Sequence, residues 1–396
     1  MAIVLALLTA GCGDDGPVGL RADDTWSVPR EQRQAEFTLA PWTADEYVAT
    51  DMVFLPDGHA LVLTKGGWDG PGTGQILILG ADGQSTRTLL DIPVCTDAER
   101  GLLGIALDAD FANNNRLFVY YTKGTADCAV YTEDPPAGSA RVENRVSAFT
   151  YNVNAIDPAS EVVYLDGLTA GQSSHNAGGL DVMPDGTLLV GVGEAGTRAS
   201  RDLDVPYGKI LRLDPAQPGA GAADNPFFDP AAPTAVRSLV YASGLRNPFR
   251  LAVEPVSGRV AVTDVGTDVY EEVNVVEPGA DYGFPDVEGP DRADGATPPA
   301  LWYTHEDGCN SIIGATWVPE DWLAPGKAPG FVFTDFGCGG VFVADVEGLA
   351  ISRVATIAPT IGYSLASVVL GPDAALYLVG VGPGPFPIQR LARSAP

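Results

Sequence analysis

The chain has 396 residues, and its 51 acidic against 23 basic side chains leave a formal charge of −28. So negative a surface excludes a nucleic-acid binder and a binder of anionic membranes, both of which need a positive face. Hydrophobic residues at 45% support a sizeable core, whereas 47 Gly and 32 Pro are too many for long helices and suit short strands joined by tight turns.

The first element is an apolar stretch, Ala2 to Ala10, too short to cross a bilayer and of the length of a signal-peptide core. It runs into Leu8-Thr9-Ala10-Gly11-Cys12, which resembles a bacterial lipobox; on that reading residues 1–12 are the export signal and Cys12 carries a lipid. Residues 13–40 include Asp14, Asp15, Asp23 and Asp24 and read as a polar tether. The expectation is an exported protein, periplasmic or at the outer membrane, held by a lipid anchor. Apart from Cys12, the five cysteines leave Cys95, Cys128, Cys309 and Cys338. In an exported chain an even number suggests disulfides. The pairings that close short loops are Cys95–Cys128 and Cys309–Cys338. A zinc site is disfavoured, because no Cys-x-x-Cys occurs and His is scarce.

From about residue 41 onward a unit recurs: an apolar strand, a Pro-Asp-Gly-like turn, then a second strand. It is seen as Val53-Phe54-Leu55-Pro56-Asp57-Gly58 before Ala60–Thr64, and as Ile105–Asp108 before Arg116–Tyr121. It returns as Val182-Met183-Pro184-Asp185-Gly186 before Leu188–Val192, and as Val253-Glu254-Pro255 with Ser257-Gly258 before Val260–Val262. A degenerate copy is Phe331–Thr334 before Gly339–Val343, and the last is Val368–Asp373 before Leu376–Val379. Each copy reads as a hairpin, which cannot bury its own faces, so the copies must stack. The predicted fold is all-β, a six-bladed β-propeller over residues 41–396, with a pair of β-sandwiches as the alternative.

Several strings then become recognisable. Glu99-Arg100-Gly101-Leu102-Leu103-Gly104-Ile105-Ala106-Leu107-Asp108 and His175-Asn176-Ala177-Gly178-Gly179-Leu180 resemble signatures of the soluble glucose/sorbosone dehydrogenase family. So do Tyr207-Gly208-Lys209-Ile210, Gly244-Leu245-Arg246-Asn247-Pro248, and Glu271-Glu272-Val273-Asn274 followed by Asp281-Tyr282-Gly283. The resemblance implies a propeller that binds pyrroloquinoline quinone (PQQ) and calcium and oxidises aldoses at the anomeric carbon to lactones. Electrons would pass to an external acceptor, since no haem-attachment motif is present. The same fold includes hedgehog-interacting-protein-like domains, which bind partners, so a non-catalytic envelope propeller for a protein or glycan is the alternative. A calcium-dependent lactonase is a third.

The chemistry narrows the residues. Removing a hydroxyl proton needs a base, and a hydride acceptor must be a cofactor because no side chain is one. Among three His, His175 sits between small residues that leave room for a planar ligand, and a neutral imidazole suits a general base. Arg246 and Asn247 are the candidates to contact the quinone, as the resemblance implies; Arg takes a carboxylate with two hydrogen bonds. Calcium prefers oxygen donors. Glu272 and Tyr282 match the family's calcium-ligand spacing, and Gly266 and Thr267 match the stretch whose carbonyls hold the cofactor's calcium. Two departures stand out: Glu99 replaces the usual Gln, where a carboxylate would repel the quinone's acids, and Asp335–Gly340 carries no Arg or Lys.

Overall fold

The computed structural model describes residues 25–126, 128–129, 141–291, 295–358 and 361–394. Cys12 and the expected signal lie outside them. Six sheets follow one another along the chain as residues 49–95, 102–169, 177–242, 248–304, 312–358 and 364–393, here blades one to six. Within each of these ranges the first strand is the inner edge. The six inner strands touch in cyclic order, with blade six returning to blade one, so the propeller is closed and the predicted fold is observed.

The apolar runs follow from this stacking. In Ala60–Thr64, Leu61 and Leu63 face blade two while Ala60 and Val62 face blade six. In Gly330–Asp335, Phe331 and Phe333 pack toward blade four and Val332 toward blade six. A strand buried on both faces reads as continuous hydrophobic sequence, because successive side chains point to opposite sides.

Five expected hairpins join the first and second strands of their blades. The fifth is shifted: Phe331–Thr334 and Val341–Val343 belong to the second and third strands of blade five, whose inner strand is Ile312–Val318. The turn after that inner strand carries no Asp-Gly signal, which is why the copy looked degenerate.

The boundary at residue 41 is also corrected. Arg30–Gln32 pairs in parallel with Ala350–Ala358 as a fifth strand of blade five, and Phe37–Pro41 pairs with Gln389–Arg393 to complete blade six. Trp26 stacks on Tyr303 at 4.3 Å and packs against Phe342 at 5.0 Å. Residues 25–40 are therefore propeller, and their polar composition reflects short edge strands. Both expected disulfides are present, with Cα separations of 5.3 Å for Cys95–Cys128 and 4.7 Å for Cys309–Cys338.

Trp26→Ala should lower stability by about 3 kcal/mol, the usual loss for a buried aromatic ring, and so lower the urea midpoint of unfolding. An unchanged midpoint would return this segment to a tether.

Candidate active site

The six inner strands all run from one mouth of the channel toward the other end. The loops that enter them therefore converge on that mouth, around a cavity of about 310 Å³ lined by residues from these loops, including Glu99, Ser174, Asn247 and Ser311. His175 precedes the inner strand of blade three, with its backbone in the left-handed region at φ 57°. In that blade Ala177 lies opposite Val192, so continuing the antiparallel register sets position 175 opposite 194. Gly193 makes the approach possible: a Cβ there would stand 2.0 Å from the His175 carbonyl oxygen.

His175 is held from both sides. Its Nδ1 is 2.6 Å from Oε1 of Glu194, and its Nε2 is 2.8 Å from Nη2 of Arg246. A guanidinium only donates, so Nε2 is the acceptor, and the ring proton sits on Nδ1 and is donated to Glu194. Burial works to raise the Glu194 carboxyl, but hydrogen bonds from His175 and from the amides of Arg198 and Gly196 outweigh it and hold it below its ordinary value. Glu194, with 3% of its surface exposed, is a candidate site residue that no motif in the sequence marks. Its signal was an acid in a Gly-rich turn just after the strand that pairs with the His strand.

Arg246 also donates from Nη1 to the Val265 carbonyl at 2.8 Å, which puts it against the Gly266–Thr267 turn as expected. Asn247 is engaged with the protein: its Oδ1 accepts from the Ala177 amide at 3.0 Å and its Nδ2 donates to Glu99. Glu99 accepts from the Asn176 amide at 2.8 Å as well. The carboxylate expected to repel a ligand thus ties three loops together. In the late string, Asp335 is fully buried, accepting from the amides of Asn310, Ser311 and Cys338 and from the Tyr303 hydroxyl. The neighbouring Phe336 lines the cavity.

The expected metal residues group in part. Thr267 donates its amide to Glu288 at 3.0 Å, and Glu272 accepts from the next amide, Gly289, at 2.6 Å. Glu272 faces Asp264 across the strand pair, and both are buried. Burial, then the Asp264 charge, pushes Glu272 up to about 8, and burial pushes Asp264 up to about 7 despite amide bonds from Arg246 and Asn247. Beside Glu272, Oδ1 of Asn274 is buried with no partner among the described residues. A cluster of oxygens with excess negative charge and an unmatched acceptor suits a hard divalent cation such as calcium. The Tyr282 hydroxyl does not join it: that group donates to the Val275 carbonyl at 3.2 Å and accepts from the Glu277 amide at 3.3 Å. If Tyr282 contributes, it does so through its backbone carbonyl and not its phenol. His305, 2.8 Å from Oε1 of buried Glu271, supports the same turn, since Oε2 of Glu271 accepts the Gly266 amide at 3.3 Å.

The glucose/sorbosone dehydrogenase family profile matches residues 47–335. Quinoprotein glucose dehydrogenase B of Acinetobacter calcoaceticus is 28% identical over 55% of this chain and 47% of its own length. Aldose sugar dehydrogenase YliI of Escherichia coli (strain K12) is 28% identical over 59% of this chain and 58% of its own. The chain thus spans about half the length of the curated relatives it matches. Among solved structures, a putative oxidoreductase (glucose dehydrogenase) of Thermus thermophilus superposes with a TM-score of 0.72 at 26% identity, covering 90% of this chain and 99% of that one. The PQQ-bound aldose sugar dehydrogenase of Streptomyces coelicolor has the same fold, with a TM-score of 0.72 at 22% identity over 91% of this chain and 99% of that one.

The raised carboxyls fix a sign. In the calcium-free protein Asp264 and Glu272 retain protons that the unfolded chain releases near its ordinary values of 3.8 and 4.5. The stability they confer is complete below those values and is lost as pH rises toward about 8. The melting temperature of chelator-treated protein should accordingly fall between about pH 5 and pH 8. Calcium should oppose that fall, and Glu272→Gln should reduce both effects. Equal melting temperatures with calcium and with chelator at about pH 8 would reject the cation site.

Proposed function

The chain belongs to the glucose/sorbosone dehydrogenase family, and from that premise we propose that it is a PQQ- and calcium-dependent aldose dehydrogenase. The single observation that carries the reading is His175, its lone pair at Nε2 and its proton at Nδ1 fixed by Arg246 and Glu194 at the channel mouth. Bound PQQ would supply the hydride acceptor that no side chain provides, and calcium would polarise it as a Lewis acid. Arg246 and Asn247 would border the quinone, with the Gly266–Thr267 carbonyls and Glu272 on the calcium side.

The protein's own part is proton transfer and orientation. Nε2 of His175 takes the proton of the anomeric hydroxyl, and the adjacent Glu194 carboxylate stabilises the imidazolium that results. Arg246 must first release Nε2. It is suited to do so, because an arriving carboxylate is a stronger partner for a guanidinium than a neutral imidazole. The product is the lactone, and two electrons leave to an external acceptor. The lipobox-like Cys12 and the two disulfides support an exported, lipid-anchored protein in an oxidising compartment.

A binding propeller is the second reading, favoured by the commitment of Glu99 and Asn247 to protein contacts and by the absence of a cation in 335–340. The test is reconstitution with PQQ and Ca²⁺, then an assay of aldoses with an artificial electron acceptor. His175→Gln should keep PQQ binding and lose about 10² to 10⁴ in kcat. Full turnover in that variant would remove His175 as the base. Failure of wild type to bind PQQ or oxidise any aldose would favour the binding propeller.

A further inference from the structure

Two cavities share the channel, one of about 310 Å³ at the mouth and one of about 440 Å³ at the far end, and Arg250 lines both. It leaves the inner strand of blade four and crosses the channel. Its Nη2 donates to the carbonyls of Thr50 in blade one and Leu103 in blade two, each at 2.9 Å. Lys65, also lining the mouth cavity, donates Nζ to the carbonyls of Thr96 and Arg100 and lies 4.8 Å over the Trp68 ring. The two cations, Arg250 and Lys65, are only 5% and 3% exposed.

Backbone carbonyls engage both cations, and among the described residues neither is hydrogen-bonded to a carboxylate; on its far side Arg250 has the charge of buried Asp51 within reach, which opposes burial only in part, and Lys65 carries the greater need on the mouth side. Burial, opposed only in part by Asp97 and Glu99, pulls the Lys65 ammonium down to about 8. Two further donors, Nε of Arg250 and Nε1 of Trp68, are buried without a partner among the described residues. The rest of the lining is largely apolar, including Leu103, Phe249, Val265 and Ile313. Glu99, the acid on the lining, already accepts from Asn176 and Asn247. Buried cations and unmatched N–H groups around an apolar cavity call for an acceptor-rich anion, because burial strengthens the bond to a counter-charge and penalises its absence.

We propose that Lys65 and Arg250, with the Trp68 indole N–H, form a carboxylate-binding floor in the mouth cavity. The counter-charge is a carboxylate of the molecule that enters beside His175. This rests on the dehydrogenase reading only for what enters there: a carboxylate of the quinone, or one on an acidic aldose such as a uronic acid. The floor supplies cationic contacts from blades one and four, where the late string of blade five supplies none.

Calorimetry on the whole chain with Ca²⁺ tests the floor, with PQQ, glucuronate and neutral glucose as separate probes. Lys65→Met should raise the Kd of the carboxylate probe about tenfold or more. Trp68→Phe should raise it several-fold, with glucose binding and melting temperature nearly unchanged. Arg250→Lys should retain binding that Arg250→Met loses; if Arg250→Met does not fold, the Lys65 and Trp68 variants decide. Weakened PQQ binding identifies the cofactor as the source, and weakened glucuronate binding alone identifies the substrate. If wild type binds PQQ while Lys65→Met and Trp68→Phe leave both carboxylate probes unaffected, the floor is wrong and the dehydrogenase reading survives. If wild type binds glucuronate through Lys65 but not PQQ, the cofactor reading fails and the floor stands. Binding of neither carboxylate overturns both.

Discussion

The inner edge of every blade presents backbone N–H and C=O groups to the channel, with no further strand to pair them. Left buried and unmatched, such groups are costly. The protein meets this with side chains reaching across from neighbouring blades. Asp51 of blade one accepts the Ile105 amide of blade two, and Asp181 of blade three accepts the Val253 amide of blade four. Thr50 donates to the Leu102 carbonyl, and Thr263 to the Ile313 carbonyl. These bonds fix each blade against the next and thereby set the positions of the loops at the mouth.

The candidate site is built by the same device. Asn247 takes the Ala177 amide and Glu99 takes the Asn176 amide, which are the inner-edge groups at the entry of blade three. The His175 turn is thus pinned by side chains from blades two and four, while Glu194 and Arg246 fix the ring within it. Arg250 answers the same demand for Thr50 and Leu103 in the middle of the channel, and so becomes the partition between the two cavities. Structural satisfaction and ligand contact are not alternatives for these residues, because the groups that close the inner edge also border the cavity.

The hairpin turns were legible because Pro-Asp-Gly followed by a doubly buried strand leaves a local pattern. Blade five was misregistered where its first turn lacks that pattern. Residues 25–40 were misread because Arg30–Gln32 and Phe37–Pro41 are edge strands, whose burial is decided by partners more than 300 positions away. His175, Arg246 and the Gly266 turn were legible through motifs. Glu194 was not, although strand register determines its place opposite His175. The role of Glu99 depends on amides from other blades, and the orientation of Tyr282 depends on packing, so neither spacing nor residue type discloses them. Lys65 and Arg250 look in sequence like ordinary surface charges; only their burial distinguishes them.

The distribution of charge around the mouth gives the site its logic. Asp264, Glu272 and Glu288 crowd one side, where burial first and then neighbouring carboxylates raise the proton affinity of Asp264 and Glu272, whereas Lys65 and Arg250 stand buried on the floor, hydrogen-bonded to backbone carbonyls, with Asp51 on the far side of Arg250. Under the proposed function a divalent cation would relieve the first group and an anion the second. Bound together, the two ligands would also attract one another in a poorly solvated space, where such attraction is strong. In a chain of charge −28, an anionic ligand gains little from the protein's overall field. Under the proposed function its affinity would have to come from these few buried cations and from bound calcium, which would make cofactor and metal thermodynamically coupled.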